Sequence, residues 1–162
     1  MKGVIPHIVL AIPLALIHFS CSKDQGKNTA LALSDRALHD SCVVAARYWY
    51  MQDSNTVYPG TAGPHGSYRL RFNAIAFAAL RDQGKLPLNA MMPSGSLVVK
   101  EISKGSANEG FAFMYKKDNS WIWGESRPDG STVFSVNKNP GICISCHSQP
   151  ANRDLILTFK YH

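Results

Sequence analysis

The chain has 162 residues, of which 45% are hydrophobic and 17% are charged, and this is the size and composition of one globular domain. The formal net charge is +6, but the basic residues are scattered, and there is neither a run of Lys or Arg nor an interleaving of basic with aromatic residues. We therefore expect no nucleic-acid partner.

Residues 1–20 are predicted to be an export signal that is not part of the fold. Lys2 gives this segment a positive start, and the stretch from Val4 to Phe19 is nearly all apolar and carries no charge. The stretch is short for a transmembrane helix, and its two prolines would interrupt one, so it is not predicted to span the membrane. Ser20 followed by Cys21 resembles the lipobox of bacterial lipoproteins, which predicts cleavage before Cys21, a lipid anchor on that cysteine and a location on the periplasmic side of a bacterial membrane. The alternative is an uncleaved apolar anchor in which Cys21 is an ordinary buried thiol.

The remaining chain is predicted to be a polar tether over residues 21–33, followed by a single domain over residues 34–162. Ser34 is a favourable N-cap for a helix that runs to about Tyr50. Four residues at helical spacing would form its apolar face: Leu38, Cys42, Ala45 and Trp49. The stretch from Gln52 to Gly66 is rich in Pro and Gly and is predicted to be a loop.

The second half of the chain is predicted to consist mainly of strands. The residues from Ser67 to Phe72 alternate like a strand, and Asn73 can cap a short helix over Ala74 to Gln83 that Gly84 closes. Four further strands are predicted, at Ser96 to Ile102, Gly110 to Lys116, Ser120 to Glu125 and Ser131 to Val136. Short strands separated by Gly, Asn, Asp and Pro favour an antiparallel sheet. The predicted fold class is therefore α+β, a mainly antiparallel β-sheet with an N-terminal helix and one short helix, and the conformation of the hydrophobic tail is left open.

The chemistry is concentrated in the sequence Cys143-Ile144-Ser145-Cys146-His147. Two thiols three positions apart can add to the two vinyl groups of one porphyrin, and the next histidine is then held beneath the iron. The motif therefore predicts one covalently attached haem c, with His147 as the axial ligand of the iron. A structural zinc site would need a second close pair of ligands, and Cys21 and Cys42 lie too far apart in the chain to form one. A thioredoxin-like redox pair would open a helix in a βαβ pattern, whereas this motif follows predicted antiparallel strands.

The ligand on the other side of the iron decides the function. Electron-transfer cytochromes c usually supply a methionine there, but all five Met residues precede the motif. His39 and His65 are predicted to be exposed. An iron with an open distal face is therefore the favoured arrangement, and a six-coordinate electron-transfer cytochrome is the alternative. The residues that would have to fold back or reach round for that alternative are Met91, Met92, Met114 and His162.

Lys100 departs from the pattern of its strand. Alternation places it on the same face as Val98 and Ile102. Such a lysine usually covers apolar surface with its stem while its ammonium reaches water, and a functional role is the alternative.

Several segments between about Ser67 and Phe159 carry a resemblance to a known family. They are the strand and short helix of residues 67–84, the sequence Pro93-Ser94-Gly95-Ser96-Leu97-Val98-Val99-Lys100-Glu101, and the Cys143 to His147 motif with the following Asp154 and Phe159. In these the chain resembles the cytochrome P-460 and cytochrome c′-beta family. The resemblance implies a mainly antiparallel β-fold, commonly a homodimer, with a five-coordinate haem. In cytochrome P-460 the lysine that matches Lys100 is covalently joined to the porphyrin and the enzyme oxidises hydroxylamine, whereas the c′-beta relatives lack this link, have an aromatic-capped pocket and bind nitric oxide.

The chain departs from the hydroxylamine-oxidising members between Lys100 and Trp121, where it is shorter and where their distal carboxylate has no clear match. Glu109 and Glu125 are the nearest acids, and each is predicted to be a solvated charge at a strand end. Three aromatic strand residues could cap the iron or belong to the core: Phe72, Phe111 and Phe113.

Three functions therefore stay open on the sequence. Lys100 favours a haem enzyme that oxidises hydroxylamine and passes the electrons to a periplasmic redox partner. The unmatched carboxylate and the apolar, aromatic strands favour a module that binds nitric oxide or a similar small nitrogen compound. An electron-transfer cytochrome would need one of the methionines or His162 as a sixth ligand.

Overall fold

The computed structural model describes residues 33–44, 48–60 and 64–161. The predicted export signal, the predicted lipidation site Cys21, Ala45 and His162 lie outside these residues. Within the described ranges, no helix is both long enough and apolar enough to cross a membrane.

In the described part of the chain, six strands form one sheet in which the order in space follows the order in the sequence and every neighbouring pair is antiparallel. The strands are β1 (Tyr48–Tyr50), β2 (Ser67–Asn73), β3 (Leu97–Lys104), β4 (Ala107–Lys117), β5 (Ser120–Ser126) and β6 (Thr132–Phe134). The helices are α1 (Asp35–Val43), α2 (Ala74–Ala78), α3 (Gly141–His147) and α4 (Thr158–Tyr161). The predicted α+β fold with a mainly antiparallel sheet is confirmed, and each of the five predicted strands is present.

The N-terminal helix is shorter than predicted. Ser34 caps α1 as expected, because its hydroxyl accepts a hydrogen bond from a backbone N–H of the first turn (3.2 Å). The helix nevertheless ends at Val43, and Tyr48–Tyr50 pair with β2 as an edge strand. Arg71 on β2 donates a hydrogen bond to the Cys42 carbonyl (2.8 Å), which satisfies one of the carbonyls left open at the helix end. The longer helix was a wrong prediction because aromatic residues favour a strand wherever a partner strand is available.

Because α1 ends at Val43, residues that were predicted to share one apolar helix face lie on different elements. Leu38 and Cys42 are fully buried beneath α1, whereas Trp49 is 45% exposed on β1 and stacks on Phe77. The short helix α2 also ends before its predicted boundary, at Ala78. Four residues later the chain turns back in a tight turn that two hydrogen bonds between Asp82 and Lys85 close.

Alternation along the strands divides the sheet into two faces. The front face bears Val98 and is covered by the C-terminal residues Ile156 and Phe159. The back face bears Val99 and is covered by α1 through Leu38. Each face therefore has its own hydrophobic cluster, and the C-terminal part of the chain closes over the front one.

Candidate functional site

Helix α3 carries the C-x-x-C-H motif. It begins at Gly141, directly after Pro140, and proline is well tolerated at the start of a helix because no N–H is needed there. Cys143 and Cys146 are three positions apart, so they lie on adjacent turns of one helix face. Both side chains are half-buried, and burial, followed by the nearby Glu125 carboxylate, raises the pKa of Cys143. Helix α3 therefore presents two cysteine side chains on one side, as attachment to one flat molecule requires.

His147 ends α3 and is held in a defined orientation. Its Nδ1–H donates a hydrogen bond to the Leu155 carbonyl (2.7 Å), and since a carbonyl can only accept, Nε2 keeps its lone pair. The Trp123 ring packs edge-on against the imidazole, with 4.7 Å between the ring centroids. Burial lowers the pKa of His147 to about 4, so the ring is neutral at pH 7. A neutral histidine with a bonded Nδ1 and an available Nε2 is the form that binds a metal.

A cavity of about 290 Å³ lies between α3 and the front face of the sheet, and a smaller one of about 30 Å³ shares part of its lining. The smaller cavity extends to Met114 and Trp123. The polar residues that line the larger cavity are His65, Lys100, Glu125, Cys143, Cys146 and His147. Lys100 and the cysteine motif, which the sequence singled out separately, therefore face the same space.

One row of residues across the strands lines the smaller cavity, and two members of this row, Lys100 and Glu125, also line the larger one. The register pairs Lys100 with Leu70 on one side and with Ala112 on the other. Ala112 in turn pairs with Glu125. Paired residues project to the same face, and neighbouring strands lie about 5 Å apart. The Cα atoms of Lys100 and Glu125, two strands apart, are therefore separated by roughly 10 Å, and the side chain between them is the methyl group of Ala112. The small side chain of Ala112 thus leaves room between a cation and an anion.

Lys100 lies on the front face with Val98, as the alternation predicts, and it lines both cavities. Its Nζ lies 4.3 Å from the centroid of the Tyr68 ring, which is a cation–π contact. Burial lowers the pKa of Lys100 to about 8. No carboxylate among the described residues forms an ion pair with this ammonium. Lys100 is therefore more than a surface lysine whose stem covers apolar residues.

Glu125 and His65 differ from the sequence-based expectation that both are exposed. The exposed fractions of their side chains are only 20% and 16%, and His65 Nδ1 lies 3.3 Å from Glu125 Oε2. The alternation of Trp121, Trp123 and Glu125 could have indicated that Glu125 faces inward. No sequence signal marks His65, because only the fold brings the loop before β2 beside β5. Glu109 is exposed, as predicted, and lines neither cavity.

His39 is also buried, contrary to prediction, but on the back face. Only 4% of its surface is exposed, and its Nδ1 lies 2.8 Å from the Ser126 hydroxyl oxygen. Among the methionines considered as sixth ligands, Met91 is exposed, Met92 belongs to the front core cluster and Met114 lines the smaller cavity. Of these candidates, Met114 is the one that shares a cavity with His147.

The three aromatic strand residues mainly serve the core. Phe72 stacks on Phe159, with 6.0 Å between the ring centroids. Phe111 and Phe113 belong to the back cluster, although Phe113 also contributes to the lining of the smaller cavity. An aromatic cap over the larger cavity would instead come from Phe134, which lines it.

Comparisons with known proteins found no matching family model, no similar curated protein and no similar solved structure. In the described ranges, no three His, Cys, Asp or Glu side chains lie close enough together to hold a metal ion by themselves. What the site can do follows from its own residues. It offers two cysteines on one helix face, a neutral histidine with an available Nε2, and the side chains of Lys100 and Glu125, which face the same space.

Proposed function

We propose that the protein is an exported c-type haem protein whose cavity receives one covalently attached haem. Cys143 and Cys146 would form the two thioether links, and Nε2 of His147 would be the axial ligand of the iron. The observation that carries the proposal is the hydrogen bond from His147 Nδ1 to the Leu155 carbonyl, beside a cavity that both cysteines line. This bond leaves the correct ring nitrogen available for iron.

The cavity walls suit a porphyrin. Phe134, Ile142 and Leu157 supply apolar surface, and mainly apolar pockets of roughly 300–1,000 Å³ are typical of cofactor sites. Ile142 is 65% exposed next to Cys143, so it offers further apolar surface for a flat ring to cover. When bound, haem supplies an iron that coordinates small nitrogen compounds and exchanges electrons with them.

The remaining polar side chains favour hydroxylamine oxidation as the activity. Glu125 faces the cavity and can accept a proton from a bound hydroxylamine, and a positioned base of this kind accelerates proton removal by roughly 100-fold to 10,000-fold. Lys100 would lie at the porphyrin edge, where a covalent link like that of the resembled family would tune the iron. The electrons would leave through a periplasmic redox partner.

Two other functions have specific support. Nitric oxide binding needs only an open iron and apolar surroundings, and the pairing of Glu125 with His65 would then leave the carboxylate unused for proton transfer. A six-coordinate electron-transfer cytochrome is favoured by His65 and Met114, since each lines a cavity together with His147.

Mass spectrometry tests haem attachment directly. Protein matured with a cytochrome c assembly system should carry one haem that survives denaturation and acid-acetone extraction. The variant Cys143→Ala/Cys146→Ala should lose it, whereas Cys42→Ala, at a buried cysteine on the back face, should keep it. A wild-type mass equal to that of the bare polypeptide contradicts the proposal.

Ferrous spectra and a hydroxylamine assay separate the three functions. We expect a high-spin ferrous iron, nitric oxide binding, and hydroxylamine turnover that falls about 100-fold in Glu125→Gln. Glu109→Gln, at an exposed acid that lines neither of the two cavities beside α3, is the matched control and should keep full turnover. Nitric oxide binding without turnover in the wild type would support the gas-binding module. A low-spin ferrous spectrum that becomes high-spin in His65→Ala or Met114→Leu would support electron transfer.

The link to Lys100 and the lipid anchor need separate tests. A protease digest of the haem protein should release the haem joined to the Lys100 peptide as well as to the cysteine motif, and Lys100→Ala should release it with the motif alone.

Metabolic labelling with a fatty acid should mark the wild type and not Cys21→Ala. Equal labelling of both would contradict the predicted anchor at Cys21.

A further inference from the structure

The segment that follows α3 holds the hydrogen-bond acceptor of His147 in an unusual backbone conformation. Asp154 and Leu155 have φ angles of +46° and +64°, in the left-handed region that residues other than glycine seldom adopt. Two such residues in succession cost free energy and persist only where surrounding contacts hold them. Because these angles set the direction of the Leu155 carbonyl, the same contacts determine whether this carbonyl meets His147 Nδ1 at 2.7 Å.

A hydrogen bond from the Ile156 N–H to the Arg153 carbonyl (2.9 Å) closes the turn that contains Asp154 and Leu155, and the Arg153 side chain pairs with Asp82. Asp154 makes further contacts that hold this segment. Its carboxylate accepts hydrogen bonds from Lys116 Nζ, at 2.9 Å to each oxygen, and from the Met92 N–H at 2.8 Å. Its backbone carbonyl accepts a fourth bond, from Trp121 Nε1 at 2.9 Å. Asp154 is thus held at once from β4, from β5 and from the loop before β3.

The ion pair between Lys116 and Asp154 is buried, with 1% and 9% of the two side chains exposed. Such a pair is a weak source of stability, because the desolvation of two charges offsets most of their attraction. It is a strong directional constraint, however, since charge-assisted hydrogen bonds are short and well oriented. Neither residue lines the cavities, and the direct covalent route from the pair to the site is the backbone that joins Asp154 to Leu155.

We infer that Asp154, anchored by Lys116, is a positioning residue for His147 and acts through the Leu155 carbonyl. The inference rests on the proposed function in that His147 is taken as the axial ligand of haem iron. A histidine that donates its second ring N–H to a carbonyl is a more basic ligand, and a more basic ligand favours the ferric state. Without the ion pair, the backbone of Leu155 can leave the left-handed region, and the hydrogen bond from His147 Nδ1 to its carbonyl weakens. His147 then becomes a less basic ligand, and the ferric state is less favoured.

The double variant Lys116→Met/Asp154→Asn tests the inference, because it removes both charges and keeps an acceptor for the Met92 N–H. In the haem-loaded protein we expect the ratio of ferric to ferrous iron at a given potential to fall about 10-fold. This corresponds to a rise in the reduction potential of about 59 mV. The iron–histidine stretching frequency in the resonance Raman spectrum of the ferrous protein should fall too. Lys116→Arg, which retains the pair, should keep both quantities near their wild-type values.

Glu101→Gln is the matched control, since it removes the carboxylate that pairs with buried Arg71 on the back face (3.4 Å). Whatever its effect on stability, it should leave the potential and the Raman frequency unchanged. A rise in potential as large as that of the double variant would mean that any buried ion pair has this effect, and it would overturn the inference.

A second measurement does not depend on haem. Nitrogen-15 NMR of the haem-free full chain should show the His147 Nδ1–H protected from exchange in the wild type and in Glu101→Gln, and unprotected in the double variant. An unprotected Nδ1–H in the wild type, or equal protection in the double variant, overturns the positioning role. A wild type that attaches no haem overturns the proposed function instead, and the NMR comparison then decides the positioning role by itself.

Discussion

Replacement of Lys100 by methionine should stabilise the haem-free chain at neutral pH. Burial lowers the pKa of Lys100 from its ordinary value of 10.5 to about 8, which means that the fold accommodates the ammonium less well than water does. Methionine has a similar length, carries no charge and packs readily in irregular apolar spaces. The substitution therefore removes the cost of the buried charge and keeps most of the side-chain contacts.

The size of the effect follows from the pKa and from one compensating contact. At about 1.4 kcal/mol for each tenfold change in proton affinity, the lowered pKa of Lys100 corresponds to about 3 kcal/mol. The substitution also loses the cation–π contact with Tyr68 (4.3 Å), which reduces the expected stabilisation by about 1 kcal/mol. Residual solvent exposure of the ammonium reduces it further, because water screens the charge. We expect Lys100→Met to raise the free energy of unfolding by about 1–3 kcal/mol at pH 7.

The pH dependence of this stabilisation provides a sharper test than its size. Between pH 8 and pH 10.5 the unfolded chain binds more protons at Lys100 than the folded chain does, so the stability of the wild type rises with pH in this window. The advantage of Lys100→Met should be complete below pH 8 and should disappear as the pH approaches 10.5. The measurement is urea unfolding under reducing conditions at pH 7 and at pH 10.

Lys104→Met is the matched control, because Lys104 lies on the same strand and is exposed. It should change the free energy of unfolding by less than about 0.5 kcal/mol at either pH. A Lys100→Met variant that is no more stable than the wild type at pH 7, or equally stabilised at both pH values, would refute the reasoning.

Three further changes test the structure around the site. Gly124→Ala should lower the free energy of unfolding by about 1–3 kcal/mol in urea, because a Cβ at this position would collide with the Phe113 ring. Asn73→Ala should cost about 1–3 kcal/mol in thermal unfolding, because the Asn73 side chain caps α2 and also accepts a hydrogen bond from the Leu97 N–H (3.0 Å). His147→Gln should reduce the loss of stability of the haem-free chain between pH 6.5 and pH 4. Burial lowers the pKa of His147 from 6.5 to about 4, so the unfolded wild type takes up a proton before the folded one as the pH falls.

Each of these changes has a control within the chain. Gly141→Ala adds a methyl group where nothing lies within 4 Å, and Asn119→Ala shortens an exposed side chain, so both should leave stability nearly unchanged. Ser145→Ala, at an exposed position of the helix that carries His147, removes no titratable group and should keep the wild-type dependence of stability on acid pH. If Gly141→Ala costs as much as Gly124→Ala, the collision is not the cause. If His147→Gln loses as much stability between pH 6.5 and pH 4 as the wild type does, His147 is not the source of the acid dependence.

The parts of the fold that the sequence predicts are those that depend on neighbours along the chain. The direction of a strand side chain depends on the local backbone alone, so the alternation around Lys100 predicted its face correctly. Cys143, Cys146 and His147 lie within two turns of one helix, so their grouping was also visible in the sequence. The cap at Ser34 formed as predicted for the same reason.

Other features, such as the end of α1 and the orientation of His147, depend on contacts between distant parts of the chain, and only the tertiary structure determines them. Helix α1 ends early because Arg71 reaches the Cys42 carbonyl and because β2 offers an edge on which Tyr48–Tyr50 can pair. The orientation of His147 depends on a carbonyl that follows the motif and that Lys116, on β4, helps to hold.

The tertiary structure also distinguishes the two acidic residues that the sequence offered near the site. Glu109 and Glu125 look alike in the sequence, since each lies near the end of a strand. Glu125 pairs with Ala112 in the row that contains Lys100, whereas Glu109 lies beside the register shift between β3 and β4 and remains exposed. A strand pattern determines which way a side chain points, but only the pairing of strands determines what stands beside it, because register is set by the packing of the whole sheet.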